Sequence, residues 1–122
     1  MQTGKVGGLV ICLTRAGAAE KLRFPDDFAL VDDLFAARVA VHADAWLAPG
    51  VVVIGDVEIG AGSSLWFGTV VRGDVHAIRI GARTNLQDLA CVHMTGGISD
   101  TVVGEECTVG HGAILHGAKV GH

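Results

Sequence analysis

Residues 41–71 read VHADAWLAPGVVVIGDVEIGAGSSLWFGTVV, and this stretch decides the fold because a large aliphatic side chain returns at every sixth position. The repeated positions are Val41, Leu47, Val53, Ile59, Leu65 and Val71. From Leu47 on, a small or β-branched residue stands two places before each of them, at Ala45, Val51, Val57, Ser63 and Thr69. Six residues are too few for a strand followed by a helix, but they suit a short strand and a tight corner.

The same spacing continues toward the C-terminus with two insertions. The frame slips by three residues within 72–79 and resumes at Ile80, Leu86 and Val92; the loop 94–100 adds five more, before Val103, Val109 and Leu115. Three six-residue sides close a coil of about eighteen residues, so the sequence predicts a parallel β-helix whose interior holds the large aliphatic side chains. A sandwich or barrel would need turn signals about every 8–12 residues, and these are absent.

The repeat divides the chain into two parts. Residues 41–122 form the predicted β-helix domain, and residues 1–40 form an N-terminal extension. Within the extension, Asp26 or Asp27 can cap a helix over 27–37 whose apolar face covers the end of the solenoid. The alternative is a poorly ordered extension or a wrongly chosen start codon. Because the chain ends at His122 within a repeat, we also expect a truncated C-terminal end with an open top coil.

Composition narrows the class of protein. The net charge is −4, without a basic run, which argues against a nucleic-acid or anionic-membrane partner. The apolar run 6–13 is far shorter than the ~20 residues that span a bilayer. Three cysteines, Cys12, Cys91 and Cys107, form no CxxC pair and leave one unpaired, which favours a reduced, cytoplasmic setting. A secretion signal near residues 5–18 is the alternative.

The faces of the prism give the histidines a specific arrangement. Val53, Val71, Val92 and Leu115 share one face, and Leu47, Leu65, Leu86 and Val109 share the next. His93 follows Val92 and His116 follows Leu115, so both should project outward at the same position one coil apart, with Cα atoms ~5 Å from each other. Such a pair can bind one metal ion, and an open, catalytic zinc site has a third protein ligand and water. His111 lies on a different face, so a neighbouring subunit in a closed ring of three chains would supply it. The alternative is that these histidines are solvated surface residues.

Three motifs together resemble the γ-class carbonic anhydrases, left-handed parallel β-helices of the hexapeptide-transferase superfamily. They are RGD at 72–74, NLQDLACVH at 85–93 and GHGAILH at 110–116. The resemblance covers about residues 41–122 and implies a homotrimer with metal at the subunit interface. It assigns His93 and His116 to one chain and His111 to its neighbour, with zinc as the cofactor and iron or cobalt as alternatives.

The resemblance also implies hydration of carbon dioxide to bicarbonate by a metal-bound hydroxide. In that reading Gln87 and Asn85 orient the hydroxide and the substrate; their alternative role is hydrogen bonding along a corner of the prism. Arg72 would pair at the subunit interface with acidic groups such as Asp74 or Asp88.

The sequence departs from the family pattern where protons leave the site. Val75 replaces the glutamate that follows the RGD motif, and an uncharged run, 94–97, replaces an acidic loop. His76 remains as a candidate for proton transfer. Metal binding is therefore better supported than fast turnover. Two alternatives stay open: a CoA-dependent acyltransferase or thioesterase of the same superfamily, and a non-catalytic, metal-bound trimeric scaffold.

Overall fold

A computed structural model describes residues 39–122, together with the backbone of two short N-terminal strands. The helix predicted over 27–37 lies outside the described residues. Within 39–122 there is no helix, and hence none long and apolar enough to cross a membrane. This part of the chain is a stack of short parallel strands with about four turns.

The described strands are short, except for two that continue around a corner of the prism. In chain order they are β1 (Ile11–Leu13), β2 (Ala19–Lys21), β3 (Ala40–Val41), β4 (Trp46–Leu47), β5 (Val51–Ile59), β6 (Ser64–Leu65), β7 (Val70–Ile80), β8 (Asn85–Leu86), β9 (Cys91–His93), β10 (Thr101–Val103), β11 (Thr108–Val109), β12 (Ile114–His116) and β13 (Lys119–Val120).

Strand pairing divides the coil into the predicted faces. One face is a four-stranded parallel sheet, β4-β6-β8-β11, which aligns Leu47, Leu65, Leu86 and Val109. The next face aligns Val53, Val71, Val92 and Leu115 through the first half of β5, the first half of β7, β9 and β12. The third aligns Val41, Ile59, Ile80, Val103 and Val120. The parallel β-helix predicted from the six-residue period is confirmed, including both changes of frame.

The interior is apolar, with hydroxyl side chains at the corners. Val53, Val71 and Val92 are fully buried, and burying one such side chain stabilises the fold by about 1.5–3 kcal/mol. Each buried hydroxyl donates to a backbone carbonyl of the chain: Ser63 to Gly81, Thr69 to Gln87, Thr84 to Gly104 and Thr101 to His93. Among residues 39–122, no buried side-chain nitrogen or oxygen lacks a hydrogen-bond partner.

The first coil carries an additional strand on its open edge. β1 pairs antiparallel with the start of β5, with Ile11 opposite Val53, and β2 pairs antiparallel with β1. This edge would otherwise present unpaired backbone N–H and carbonyl groups. The sequence predicted that the extension covers this end with a helix, and the described backbone covers part of it with strands.

A bulge in β7 accounts for the three-residue slip and positions part of the site. β5 and β7 pair in register from Val52–Val70 to Gly55–Gly73, and the pairing resumes only at Val57–Ile78. Gly55 has φ +82°, and a Cβ on it would lie 2.0 Å from the carbonyl oxygen of Gly73, so the strands approach too closely there for a side chain. Residues 74–77 leave the ladder at this point.

Candidate metal centre

Two histidines are cross-strand neighbours on the outside of one face. In the parallel pair β9–β12, His93 lies opposite His116 and Val92 opposite Leu115. The imidazole centroids are 5.2 Å apart and the ring planes are inclined by 36°. The predicted alignment of these two residues is thus confirmed, and two nitrogen donors stand side by side on one chain.

The bulge of β7 places a carboxylate beside the first of these rings. Asp74 Oδ1 lies 3.0 Å from His93 Nε2, and Asp74 Oδ2 accepts a hydrogen bond of 2.6 Å from Arg72 Nη1. The Asp74 side chain is only 3% exposed. Burial alone would raise its pKa, but the hydrogen bonds from His93 and Arg72 and the charge of Arg72 outweigh burial and hold the pKa of Asp74 below its ordinary value.

An ionised Asp74 determines which nitrogen of His93 carries a proton in their contact. A carboxylate only accepts, so Nε2 of His93 carries the proton in this contact. A neutral ring held in this way keeps a lone pair on its other nitrogen. Carboxylate–histidine contacts of this kind orient imidazoles that bind metals. We call Arg72, Asp74, His93 and His116 the histidine column.

The loop after β9 contacts the second ring. Thr95 Oγ1 lies 3.4 Å from His116 Nε2, and the backbone N–H of Gly117 donates to the carbonyl of His93 at 3.2 Å. At the far end of the loop, Asp100 Oδ1 accepts from the N–H of Ala77 at 3.1 Å and lies 2.9 Å from His76 Nδ1. The loop is thereby attached at both ends, and Asp100 orients the imidazole of His76.

A second group of polar residues surrounds a cavity of ≈ 250 Å³ on the four-stranded face. We call it the amide cavity; it is lined by Trp66, Asn85, Gln87, Asp88 and His111. His111 Nδ1 lies 3.9 Å from Asp88 Oδ2, and the His111 side chain is 70% exposed. The four predicted residues Asn85, Gln87, Asp88 and His111 are thus brought together, although not with the histidine pair.

The donor chemistry of the histidine column fits a metal ion, but the described residues of one chain bring only two imidazoles together there. Imidazoles are common ligands of zinc, which takes three protein ligands at an open site. Within residues 39–122, no group of three or more histidine, cysteine or acidic side chains is arranged to hold a metal ion. His93 and His116 could therefore contribute two of the three protein ligands that an open zinc site requires.

Some contacts in these groups were not predicted from the sequence. The resemblance implied that Arg72 pairs with acidic groups between subunits, whereas here it binds Asp74 of its own chain. Pairing with Asp88 of a neighbour remains a prediction. The contact between Asp74 and His93, and the presence of Trp66 in the amide cavity, were also missed. The register contained a signal for Trp66, because it directly follows Leu65 as Gln87 directly follows Leu86.

Comparison with known proteins gives consistent results. A family model described as bacterial transferase hexapeptide (six repeats) matches residues 38–73. The gamma carbonic anhydrase 1, mitochondrial, of Arabidopsis thaliana is 43% identical over 93 residues, which cover 72% of this chain and 34% of that protein. A probable carbonic anhydrase of Methanocaldococcus jannaschii is 45% identical over 74 residues, or 61% of this chain and 46% of that protein.

A solved structure agrees with these matches. The hexapeptide transferase family protein from Anaplasma phagocytophilum superposes with a TM-score of 0.64 and 43% identity, covering 69% of this chain and 48% of that one. The chain belongs to the hexapeptide-repeat proteins. Within that class it is γ-carbonic anhydrase-like, since curated relatives with that name share 43–46% of the aligned residues. It spans a third to a half of the length of these relatives and the solved structure.

Proposed function

We propose that this chain forms a trimer that hydrates carbon dioxide to bicarbonate, with a divalent metal ion held between neighbouring subunits. The observation that carries the proposal is the pairing of His93 with His116, whose ring centroids lie 5.2 Å apart. Relatives named as carbonic anhydrases support the reaction class.

In this proposal the ligands come from two chains. His93 and His116 of one chain and His111 of the next form a set of three imidazoles, which zinc, iron and cobalt all accept. The ion, when bound, supplies Lewis acidity that lowers the pKa of water to about 7, a value for which carbonic anhydrase is itself the standard illustration. Asp74 holds the ring of His93 in place, and Arg72 keeps Asp74 ionised.

The amide cavity supplies the substrate side. Asn85 and Gln87 present amide groups that donate to oxygen atoms, and Trp66 adds an apolar wall for a small uncharged molecule. His76, oriented by Asp100, is our candidate to accept the proton released in hydration.

The histidine column and the amide cavity lie on different faces of the prism, and this placement supports a cyclic trimer. The histidine column and the amide cavity are different surfaces of the same prism, so a contact between them in two copies is heterologous. Heterologous contacts that close produce cyclic assemblies such as trimers, with one complete site at each interface. Each chain then contributes both halves, but to two different sites.

Complementation between two inactive variants tests the shared site. One chain carries His111→Ala and the other carries both His93→Ala and His116→Ala, and the two are co-expressed with different tags. If ligands come from neighbouring chains, random trimers regain about a quarter of the wild-type sites, since a mixed ring has one intact interface. Zinc content and carbon dioxide hydration should recover together to this level. A mixture that binds no more metal than its separate components would refute the shared site.

A transferase acting on CoA esters is the second candidate, favoured by the matched family model and by the name of the similar solved structure. Hydrolysis or transfer of an acyl group from CoA, measured on the purified trimer, would support it. Metal binding without either activity would instead indicate the trimeric scaffold.

A further inference from the structure

Three side chains on the four-stranded face form a continuous chain of hydrogen bonds that ends in the amide cavity. Trp66 Nε1 donates to Ser64 Oγ at 3.3 Å, and Ser64 Oγ donates to Asn85 Oδ1 at 3.3 Å. Ser64 and Asn85 are cross-strand neighbours in the parallel pair β6–β8. The ladder therefore places these two side chains next to each other, and their rotamers complete the contact.

The direction of these hydrogen bonds follows from the chemistry of the Trp66 indole, the first donor. An indole N–H only donates, so Ser64 Oγ accepts from Trp66. The hydroxyl proton of Ser64 is then directed toward Asn85, whose carbonyl oxygen accepts it. The carbonyl oxygen of the Asn85 side chain is thus used to accept from Ser64. The NH2 group of the same amide keeps its two N–H donors for the cavity.

Aromatic packing holds Trp66, the first donor in this series of hydrogen bonds. The ring of Trp66 lies edge-on to Trp46, with centroids 4.8 Å apart, and also contacts Phe67 at 6.3 Å. Such aromatic pairs contribute about 0.5–1.5 kcal/mol beyond their buried area. Trp66 therefore offers its N–H from a fixed position, which is what a residue needs in order to orient another.

We propose that Trp66 and Ser64 are positioning residues that fix the Asn85 amide with its N–H donors facing the cavity, which selects a ligand presenting oxygen acceptors, such as bicarbonate. This inference rests on the proposed function for the identity of the ligand. The orientation of the amide does not depend on that function and can be measured separately.

The experiment follows the side-chain amide of Asn85 by NMR in the zinc-loaded, ¹⁵N-labelled full chain, with its signals identified by their loss in Asn85→Ala. In the ligand-free protein, Ser64→Ala should move both N–H signals, whereas Ser64→Thr, which restores a hydroxyl, should return them toward the wild type. Thr108→Ala is the matched control, because Thr108 lies opposite Asn85 on the other side of the ladder.

Bicarbonate titration then measures the consequence for binding. Ser64→Ala should weaken bicarbonate binding about threefold to tenfold, the range for one hydrogen bond, and Trp66→Phe should weaken it less. In an Asn85→Ala background, Ser64→Ala should have no further effect. Amide signals unchanged by Ser64→Ala, or an equal loss of binding in both backgrounds, would overturn the positioning role. If bicarbonate leaves the wild-type signals unmoved while Ser64→Ala shifts them, the proposed function fails and the positioning stands.

Discussion

The histidine column and the amide cavity are both polar, but they differ in how far one chain satisfies them. In the column, Asp74 is almost fully buried and binds two partners, and the side chain of His93 is 19% exposed. In the cavity, His111 is mostly exposed and its distance of 3.9 Å from Asp88 is too long for a hydrogen bond. One group is preorganised within the chain, and the other is open toward a ligand or another subunit.

If the two groups meet in one site between subunits, as proposed, this difference gives them different roles. Groups that orient a metal ligand must be rigid, because small displacements weaken coordination. Groups that admit a substrate or a neighbouring chain must remain accessible. Substitutions in the column should therefore affect metal affinity and stability. In the cavity, substitutions of the amide side chains should affect turnover, and substitution of His111, the third proposed metal ligand, should affect metal affinity as well.

The largest effect is expected for the three proposed metal ligands, of which His93 and His116 lie in the column and His111 lies in the cavity. His93→Ala should reduce zinc content to trace levels and hydration to the uncatalysed rate, since one imidazole per chain remains there. His111→Ala should leave weak, residual zinc binding through the intact pair. Metal analysis after dialysis, with His42→Ala as control, checks both variants. Full zinc content in His93→Ala would exclude the column as a metal centre.

The next effect concerns the cavity. Gln87→Ala should lower kcat by about 10²-fold, the loss seen when one hydrogen-bond donor to the transition state is removed, while zinc content stays unchanged. The backbone carbonyl of Gln87, which accepts from Thr69, is retained in this variant. Stopped-flow hydration and metal analysis on the same sample measure the two quantities. A parallel loss of zinc would reassign Gln87 to the support of the metal ligands.

A smaller effect, on the free energy of unfolding, should distinguish the histidine column from the amide cavity. Asp74→Ala should lower the free energy of unfolding of the metal-free protein by about 1.5–3 kcal/mol, toward the low end because Arg72 is 45% exposed. Asp88→Ala, in the open cavity, should change it by no more than about 0.5 kcal/mol. Urea denaturation at equal protein concentrations compares the variants. Equal losses would contradict the distinction between a closed and an open group.

The register of the site was predictable from the sequence, because the six-residue period extends along the whole solenoid. A period shared by successive coils fixes which residues are cross-strand neighbours, and this aligned His93 with His116. The same logic placed His111 on another face. The lengths of the two insertions were also predictable from the sequence, because the six-residue spacing of the aliphatic residues resumes after each insertion.

The contacts around the histidines were not predictable in this way. Asp74 lies in the β7 bulge, where the period is broken, so no repeat position specifies the direction of its side chain. The hydrogen bonds that link Trp66, Ser64 and Asn85 depend on side-chain rotamers and on which hydroxyl serves as the partner. The spacing of residues in the sequence determines neither. The positions of the candidate metal ligands thus followed from the repeat, whereas the side chains that orient them are seen only in the folded structure.

The smallest expected effect concerns the loop that contacts the column, and it depends on pH. The hydrogen bonds from His76 and from the N–H of Ala77 hold the pKa of Asp100 below its ordinary value of 3.8. A lowered pKa in the folded state means that Asp100 stabilises the fold above pH 3.8, and that this contribution is lost as the pH falls through the lowered value. Asp100→Asn should therefore shift acid unfolding slightly toward higher pH, and Asp44→Asn, at the other end of the solenoid, serves as control. Circular dichroism during acid titration measures the midpoint, and identical midpoints for Asp100→Asn and the wild type would mean that this loop contact does not contribute to stability.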